Sequence, residues 1–208
     1  VIRPYANPRT ESYGMPLYHK ILPEYLLEAG YQTALSGKWH LGMSSDEYLP
    51  SSRGFQQTYG HMNGGIDYYD HSFSGRLDWH RDNIPLVEDG YATNLIANEA
   101  IRIIKNKDKN KPLFLYVAFN APHTPIQVEN DVMNELLFIE DIDDRRYAAN
   151  IYSLDREIGK IIDVIENENL LENTIILFFS DNGPVFDVDP IAATIAPGLL
   201  DAKGNTMG

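Results

Sequence analysis

Residues 113–119 read Leu-Phe-Leu-Tyr-Val-Ala-Phe, apolar at every position. A strand with one wet face alternates apolar and polar residues, whereas a strand covered on both faces reads as a continuous apolar run. The stretch Leu113 to Phe119 therefore predicts a central strand of a largely parallel sheet. Thr174 to Phe179 repeats the pattern with Ile-Ile-Leu-Phe-Phe after the threonine, and Tyr31 to Leu35 is a shorter candidate. Segments of helical period precede or separate these runs. Leu17 to Ala29 places Leu17, Ile21, Leu22, Tyr25 and Leu26 on one face and meets a C-terminal stop at Gly30. Asn94 to Lys105 turns Leu95, Ala97, Ile101 and Ile104 inward. Arg145 to Asn167 carries the stripe Ile151, Leu154, Ile158, Ile161 and Ile165, and the acidic run Glu140 to Asp144 at its amino end suits the helix dipole. Helix and strand alternate along the chain, which predicts an α/β fold with a largely parallel sheet flanked by helices.

Each predicted strand ends in a short polar string. Tyr31–Leu35 leads into Gly37-Lys38-Trp39-His40-Leu41-Gly42. Leu113–Phe119 leads into Ala121-Pro122-His123-Thr124-Pro125. Thr174–Phe179 leads into Ser180-Asp181-Asn182-Gly183. In open α/β sheets, ligands bind outside the carboxyl ends of the strands. A lysine, two histidines, an aspartate and an asparagine at one rim suit an anionic oxygen ester held against a hard cation.

Every string also has a plainer reading. Lys38 and His40 share a face if the chain stays extended and can meet one anion as point charge and proton donor. Lys38 can equally sit on a surface turn, with Trp39 buried beside a satisfied histidine. His123 is flanked by prolines that limit its freedom before binding, or it packs under the long loop over residues 120–143. Asp181 and Asn182 supply oxygens for Ca²⁺ or Mg²⁺, or form an ordinary turn. The cluster Asp67-Tyr68-Tyr69-Asp70-His71 can contact a sugar or pack its loop onto the body. His19, His61 and His80 have no partner assignable from sequence, and residues 42–92 show no sustained period.

The chain has 208 residues, enough for one domain with a sizeable core, with 43% hydrophobic and 23% charged residues. A formal net charge of -13 argues against nucleic acid as a partner, although a few focused cations can still hold an anion in a cleft. With no cysteine, the chain has neither disulfides nor a thiolate ligand or nucleophile. No run is long and apolar enough to span a bilayer, no signal peptide is read within these residues, and the start at Val1 reads as a processed or truncated end.

At these residues the chain resembles the sulfatase family, of the arylsulfatase B type, within the alkaline-phosphatase-like superfamily. The resemblance is carried in order by Leu22-Pro23-Glu24-Tyr25-Leu26-Leu27-Glu28-Ala29-Gly30-Tyr31, Gly37-Lys38-Trp39-His40-Leu41-Gly42-Met43, Arg53-Gly54-Phe55 and Asp67-Tyr68-Tyr69. Lys111-Pro112-Leu113-Phe114-Leu115-Tyr116, His123-Thr124-Pro125 and Ser180-Asp181-Asn182-Gly183 complete it. It implies hydrolysis of a sulfate ester by a calcium-bound formylglycine. By position, Lys38 would bind sulfate and the formylglycine, and His40 would orient the formylglycine hydroxyl. His123 would bind sulfate and protonate the leaving alcohol, and Asp181 and Asn182 would be two of the calcium ligands.

The sequence also departs from the family. The amino-terminal strand with paired metal-binding aspartates, the Cys/Ser-x-Pro/Ala-x-Arg nucleophile motif and a later lysine are absent, and Pro50-Ser51-Ser52-Arg53 only echoes the motif out of register. The expectation is an incomplete alkaline-phosphatase/sulfatase-like domain over residues 1–184, the middle of a sulfatase with both flanks lost. Residues 185–208 are an unassigned tail. The expected activity is that of a sulfuric ester hydrolase on a sulfated carbohydrate or aryl sulfate, by analogy in a periplasmic, extracellular or lysosomal setting, with this chain alone inactive. A phosphatase or phosphodiesterase of the same superfamily, and a non-catalytic remnant that binds sulfated glycans, are the alternatives. The sequence fixes neither the oligomeric state nor the particular sulfated substrate.

Overall fold

A computed structural model of the chain describes residues 14–182. The loop expected over residues 1–16 falls mostly outside the described residues. Gly183 and the expected tail over residues 185–208 fall wholly outside them.

The first helix, α1, spans Leu22–Glu28, shorter than the expected span from Leu17. Pro23 explains the late start, because a proline is accommodated in the first turn of a helix, where its missing N–H costs nothing. The Glu24 carboxylate accepts the Ile21 N–H at 2.7 Å and so satisfies a donor the helix leaves open. Residues 17–19 form a turn instead. Gly30, at φ 87°, ends α1, and the Tyr31 N–H reaches back to the Leu26 carbonyl at 3.0 Å.

Strand β1 (Gln32–Gly37) follows, then β2 (Gln57–Gly60), the two-residue strands β3 (Ser72–Phe73), β4 (Arg76–Leu77), β5 (His80–Arg81) and β6 (Ile84–Pro85), and β7 (Leu113–Ala118). The main sheet has the order β6-β5-β2-β1-β7. β1 runs parallel to both β2 and β7, while β5 and β6 close the far side as an antiparallel hairpin; β3 and β4 pair separately. The largely parallel α/β sheet matches the sequence expectation, but β7 lies at its edge, not its centre. Its apolar run is explained by cover on both faces. Leu113, Leu115 and Val117 pack toward helices α2 (Ala92–Asn106) and α4 (Ile142–Asn167), between which the short α3 (Asn130–Glu135) falls in the chain, while Phe114 and Ala118 pack toward Trp39 and Phe55.

One expectation holds on a wider face, and two need correction. On α2, Ala97 and Ile104 are buried and Leu95 and Ile101 pack half-buried against the core, while Ala92, Ile96, Ala100 and Ile103 are buried as well. The Ser36 hydroxyl donates to the Ile96 carbonyl at 2.8 Å and fixes which side of the helix meets β1. On α4 the buried line is Ala149, Asn150, Ser153, Glu157 and Ile161, so Ile151 points to solvent. Polar anchors set this rotation: Asn150 Nδ2 donates to the Gln127 carbonyl at 2.9 Å, and Glu157 is paired with Arg156 and Lys160. Finally, Thr174 to Phe179 forms no ladder, and Ile175 and Phe178 are 89% and 81% exposed. An apolar run is buried only where another surface faces it, and no described element covers this one. The acidic run behaves as expected, with the Asp141 carboxylate capping α4 through the N–H groups of Asp143 and Asp144.

Candidate active site at the carboxyl rim of the sheet

The site is built where β1, β2 and β7 end together. Gly37 closes β1 at φ 119°, and a Cβ there would stand 2.0 Å from the Ala118 carbonyl oxygen, so only glycine lets the strand ends close up and turn. Lys38 leaves this turn with its N–H on Ala118 O at 2.8 Å. The next two N–H groups, of Trp39 and His40, donate to the carbonyls of His61 and Met62 at 2.9 and 3.1 Å. The string is thus clamped between the ends of β7 and β2. Trp39 is buried, and its indole N–H is shared by the carbonyls of Gly42 and Tyr48, both at 2.9 Å. His40 sits at φ 53°, a left-handed conformation that is costly for a residue with a Cβ and that concentrates at functional sites.

Lys38 and Asp181 are brought together: Nζ stands 3.7 Å from Oδ2, with the lysine side chain 14% exposed and the aspartate 66%. Asn182 follows in a turn closed by Ser180 Oγ donating to the Asn182 carbonyl at 2.7 Å. His123 is held at three atoms. Its N–H donates to Asn120 O at 2.8 Å, its carbonyl accepts the Tyr68 hydroxyl at 2.9 Å, and its Nδ1 faces Thr124 O at 2.7 Å. A carbonyl can only accept, so Nδ1 carries a proton and proton exchange falls to Nε2.

Sequence reading missed the loop that joins these parts. His61 is 1% exposed and lies within the electrostatic reach of Lys38, His40 and His123. Burial first, and then the Lys38 charge, push its pKa down to about 3, so it is a neutral ring at the base of a cationic site. Its Nδ1 faces the Asn63 carbonyl at 3.0 Å, and its ring stacks on Trp79. Buried Asp78 accepts the N–H groups of Met62 and Asn63 at 3.0 and 2.9 Å and the Asn63 amide at 2.8 Å. The visible signal in the sequence was the Gly64-Gly65 pair. The Asp67–His71 cluster packs its loop onto the body: Tyr68 is fully buried against Tyr91, and Asp67 accepts the N–H groups of Tyr69 and Asp70 and the Gln127 amide. His19 does not join the site; its carbonyl accepts from Arg53 at 2.7 Å.

Asp181 and Asn182 have the oxygen chemistry of a hard-cation site, but Ca²⁺ takes about six to eight oxygens. Among the described residues, no group of three or more His, Cys, Asp or Glu side chains is placed to hold a metal. The pair fits part of a calcium shell and does not complete one.

A sulfatase family model matches residues 3–204, beyond the last of the strings that carry the resemblance. The chain belongs to the sulfatase family. This sulfatase chain is 35% identical over 191 residues to arylsulfatase J of Mus musculus, covering 88% of the chain and 31% of that protein. It is 30% identical over 182 residues to N-acetylgalactosamine-6-sulfatase of Homo sapiens, covering 82% of the chain and 34% of that protein. Among solved structures, Ps i-CgsB in complex with k-i-k-neocarrahexaose superposes with a TM-score of 0.76 at 31% identity, over 86% of the sulfatase chain and 43% of that chain. The chain thus spans about a third of the length of these curated relatives. Among the described residues, no helix is long and apolar enough to cross a membrane.

Proposed function

We propose that these residues form part of the active site of a sulfuric ester hydrolase whose substrate is a sulfated carbohydrate. The observation that carries the reading is the convergence of Lys38, His40, His123 and Asp181 on one sheet rim within a sulfatase chain. The carbohydrate is supported by the relatives, one an N-acetylgalactosamine-6-sulfatase and another a structure holding a neocarrahexaose.

Lys38 supplies a positive charge for the sulfate oxygens, where charge is concentrated during S–O cleavage. Its partial burial strengthens that attraction relative to bulk water. His123, with Nδ1–H tied to Thr124 O, offers a proton from Nε2 to the leaving alcohol oxygen. His40, fixed by its backbone, orients the attacking hydroxyl. Asp181 and Asn182 would hold calcium, whose chemistry is to bind and polarise the sulfate oxygens. The formylglycine is not encoded by any Cys or motif-borne Ser in these 208 residues, so the chain alone would not turn over substrate.

The test compares a protein that joins these residues to a formylglycine motif and paired aspartates with the 208-residue chain, on an aryl sulfate and on sulfated oligosaccharides. Calcium-dependent sulfate release by the first alone is expected, lost in His123→Ala. Turnover by the 208-residue chain, or faster hydrolysis of the matching phosphate monoester, would overturn the reading. Calcium-independent glycan binding without any turnover would instead mark a binding module.

A further inference from the structure

The loop between β2 and β3 presses on both histidines. A Cβ added at Gly64 would lie 2.5 Å from His40 Cε1 and 2.9 Å from its Nε2; one added at Gly65 would lie 2.7 Å from His123 Nδ1 and 2.8 Å from its Cε1. Those separations are shorter than any van der Waals contact, so a side chain at either position displaces a ring. Neither glycine belongs to the positive-φ set that includes Gly37, Gly60 and their like. The backbone there would accept an alanine, and the need for glycine comes first from the imidazoles, with the Thr124 carbonyl oxygen, 3.3 Å from a Cβ at Gly65, as a looser further neighbour. Adjacent residues thus stand against two rings that arrive from different strands, His40 after β1 and His123 after β7.

The loop can act as a gauge because it is itself fixed. Asp78 holds the Met62 and Asn63 N–H groups, and the Met62 carbonyl in turn accepts the His40 N–H. The bare backbone at 64–65 is therefore referenced to the same carboxylate that sets the His40 main chain.

The geometry points to Gly64 and Gly65 as positioning residues that set the separation of the His40 and His123 imidazoles, the loop serving as a spacer anchored on Asp78. They touch no reacting atom in this role; they act through the rings. The shortest contacts are with ring atoms at the ends of rotatable side chains, so a methyl group moves a ring at small cost to the fold. A structural glycine would behave oppositely, losing stability without a selective effect on one ring. This inference rests on the proposed sulfate site for its functional meaning, but not for its geometry.

The experiment uses the 208-residue chain, whose six histidines give a tractable set of imidazole carbon–proton NMR signals. Gly64→Ala should move the His40 signals most and Gly65→Ala those of His123, with melting midpoints within about 4 °C of the parent. Inorganic sulfate is the ligand probe, and each substitution should raise its dissociation constant by roughly tenfold, as expected when one binding group is misplaced. The idea is overturned if both variants shift all six histidines alike, if neither shifts its own ring, or if the chain unfolds, because the backbone and not the ring would then have yielded. If sulfate perturbs no histidine of the parent while each substitution still moves its own ring, the spacer stands and the sulfate reading falls.

Discussion

The Lys38 ammonium lies 3.7 Å from the Asp181 carboxylate, joining the first and last polar strings of the rim. If the proposed sulfate site holds, Lys38 would trade this carboxylate oxygen for a sulfate oxygen. Lys38→Met should therefore weaken inorganic sulfate binding by about 10- to 100-fold, the scale of a lost charge-assisted contact. Because Asp181 is largely in water, the same change should alter stability by no more than about 0.5 kcal/mol. Titration calorimetry at low ionic strength measures the first and a thermal melt the second. Undiminished sulfate affinity would remove Lys38 from the site.

His61 should make the chain acid-sensitive above the range where carboxylates titrate. Its ordinary pKa of 6.5 falls to about 3 in the fold, through burial first and the Lys38 charge second. Between those values the unfolded chain takes up a proton that the folded chain refuses, so stability falls as pH drops. From pH 7.5 to pH 5 this single group removes about 2 kcal/mol. His61→Gln should flatten that part of the stability–pH curve. The measurement is urea unfolding at a series of pH values, and an equally steep curve in the variant would show that other groups carry the acid sensitivity.

Periodicity in the sequence revealed the α/β class, because runs such as 113–119 keep their apolar character whichever neighbour covers them. It could not say which neighbour. β7 is apolar on both sides yet ends the sheet among the described residues, and residues 174–179 are just as apolar but no described element covers them. β2 escaped notice since Gln-Thr-Tyr-Gly is short and mixed, although its pairing with β1 positions the whole rim. On α4 the expected stripe holds at Leu154, Ile161 and Ile165, which pack on the core, and fails at Ile151, because Asn150 and Glu157 turn the buried line through polar contacts that hydrophobicity does not register. Lys38, His40 and His123 were legible as residues at or just past strand ends, whereas Asp181 and Asn182 follow a run that forms no strand, and Asp181 meets the rim through Lys38. The loop that spaces the histidines showed only its Gly64-Gly65 pair: it works through absent side chains and through Asp78, which is held mainly by backbone N–H groups that no residue pattern encodes.

Trp39 should prove to be the brace of the Lys38–His40 turn. Its indole N–H serves two carbonyls, and its ring meets Phe55 edge-on at 6.1 Å. Trp39→Phe keeps an aromatic ring but leaves both carbonyls without that donor, which costs about 1–2 kcal/mol. A melting midpoint lower by about 5 °C is the expected readout. Hydrogen exchange should also quicken at the Trp39 and His40 N–H groups, because the strained His40 backbone depends on the brace. Unchanged exchange would mean that the β2 carbonyls hold the turn unaided.

Glu99 ties the antiparallel side of the sheet to helix α2. Its carboxylate, 5% exposed, receives Arg81 at 2.8 and 3.0 Å and Arg102 at 2.7 and 3.0 Å. Burial alone would raise its pKa, but the hydrogen bonds from Arg102 and Arg81 outweigh burial and hold it below the ordinary 4.5. Glu99→Gln keeps the volume but offers one acceptor oxygen where two were used, so a loss of about 2 kcal/mol is expected near neutral pH. A lowered folded-state pKa stabilises above the unfolded value and is lost as pH falls through the folded one. The gap between parent and variant should therefore persist at pH 6 and shrink progressively below about pH 4.5. The other carboxylates titrate in both proteins and cancel in the comparison. Denaturant unfolding of the pair at pH 6, 4.5 and 3.5 measures this, and a gap constant across that range would show that packing of the side chain, not its charge, joins the hairpin to the helix.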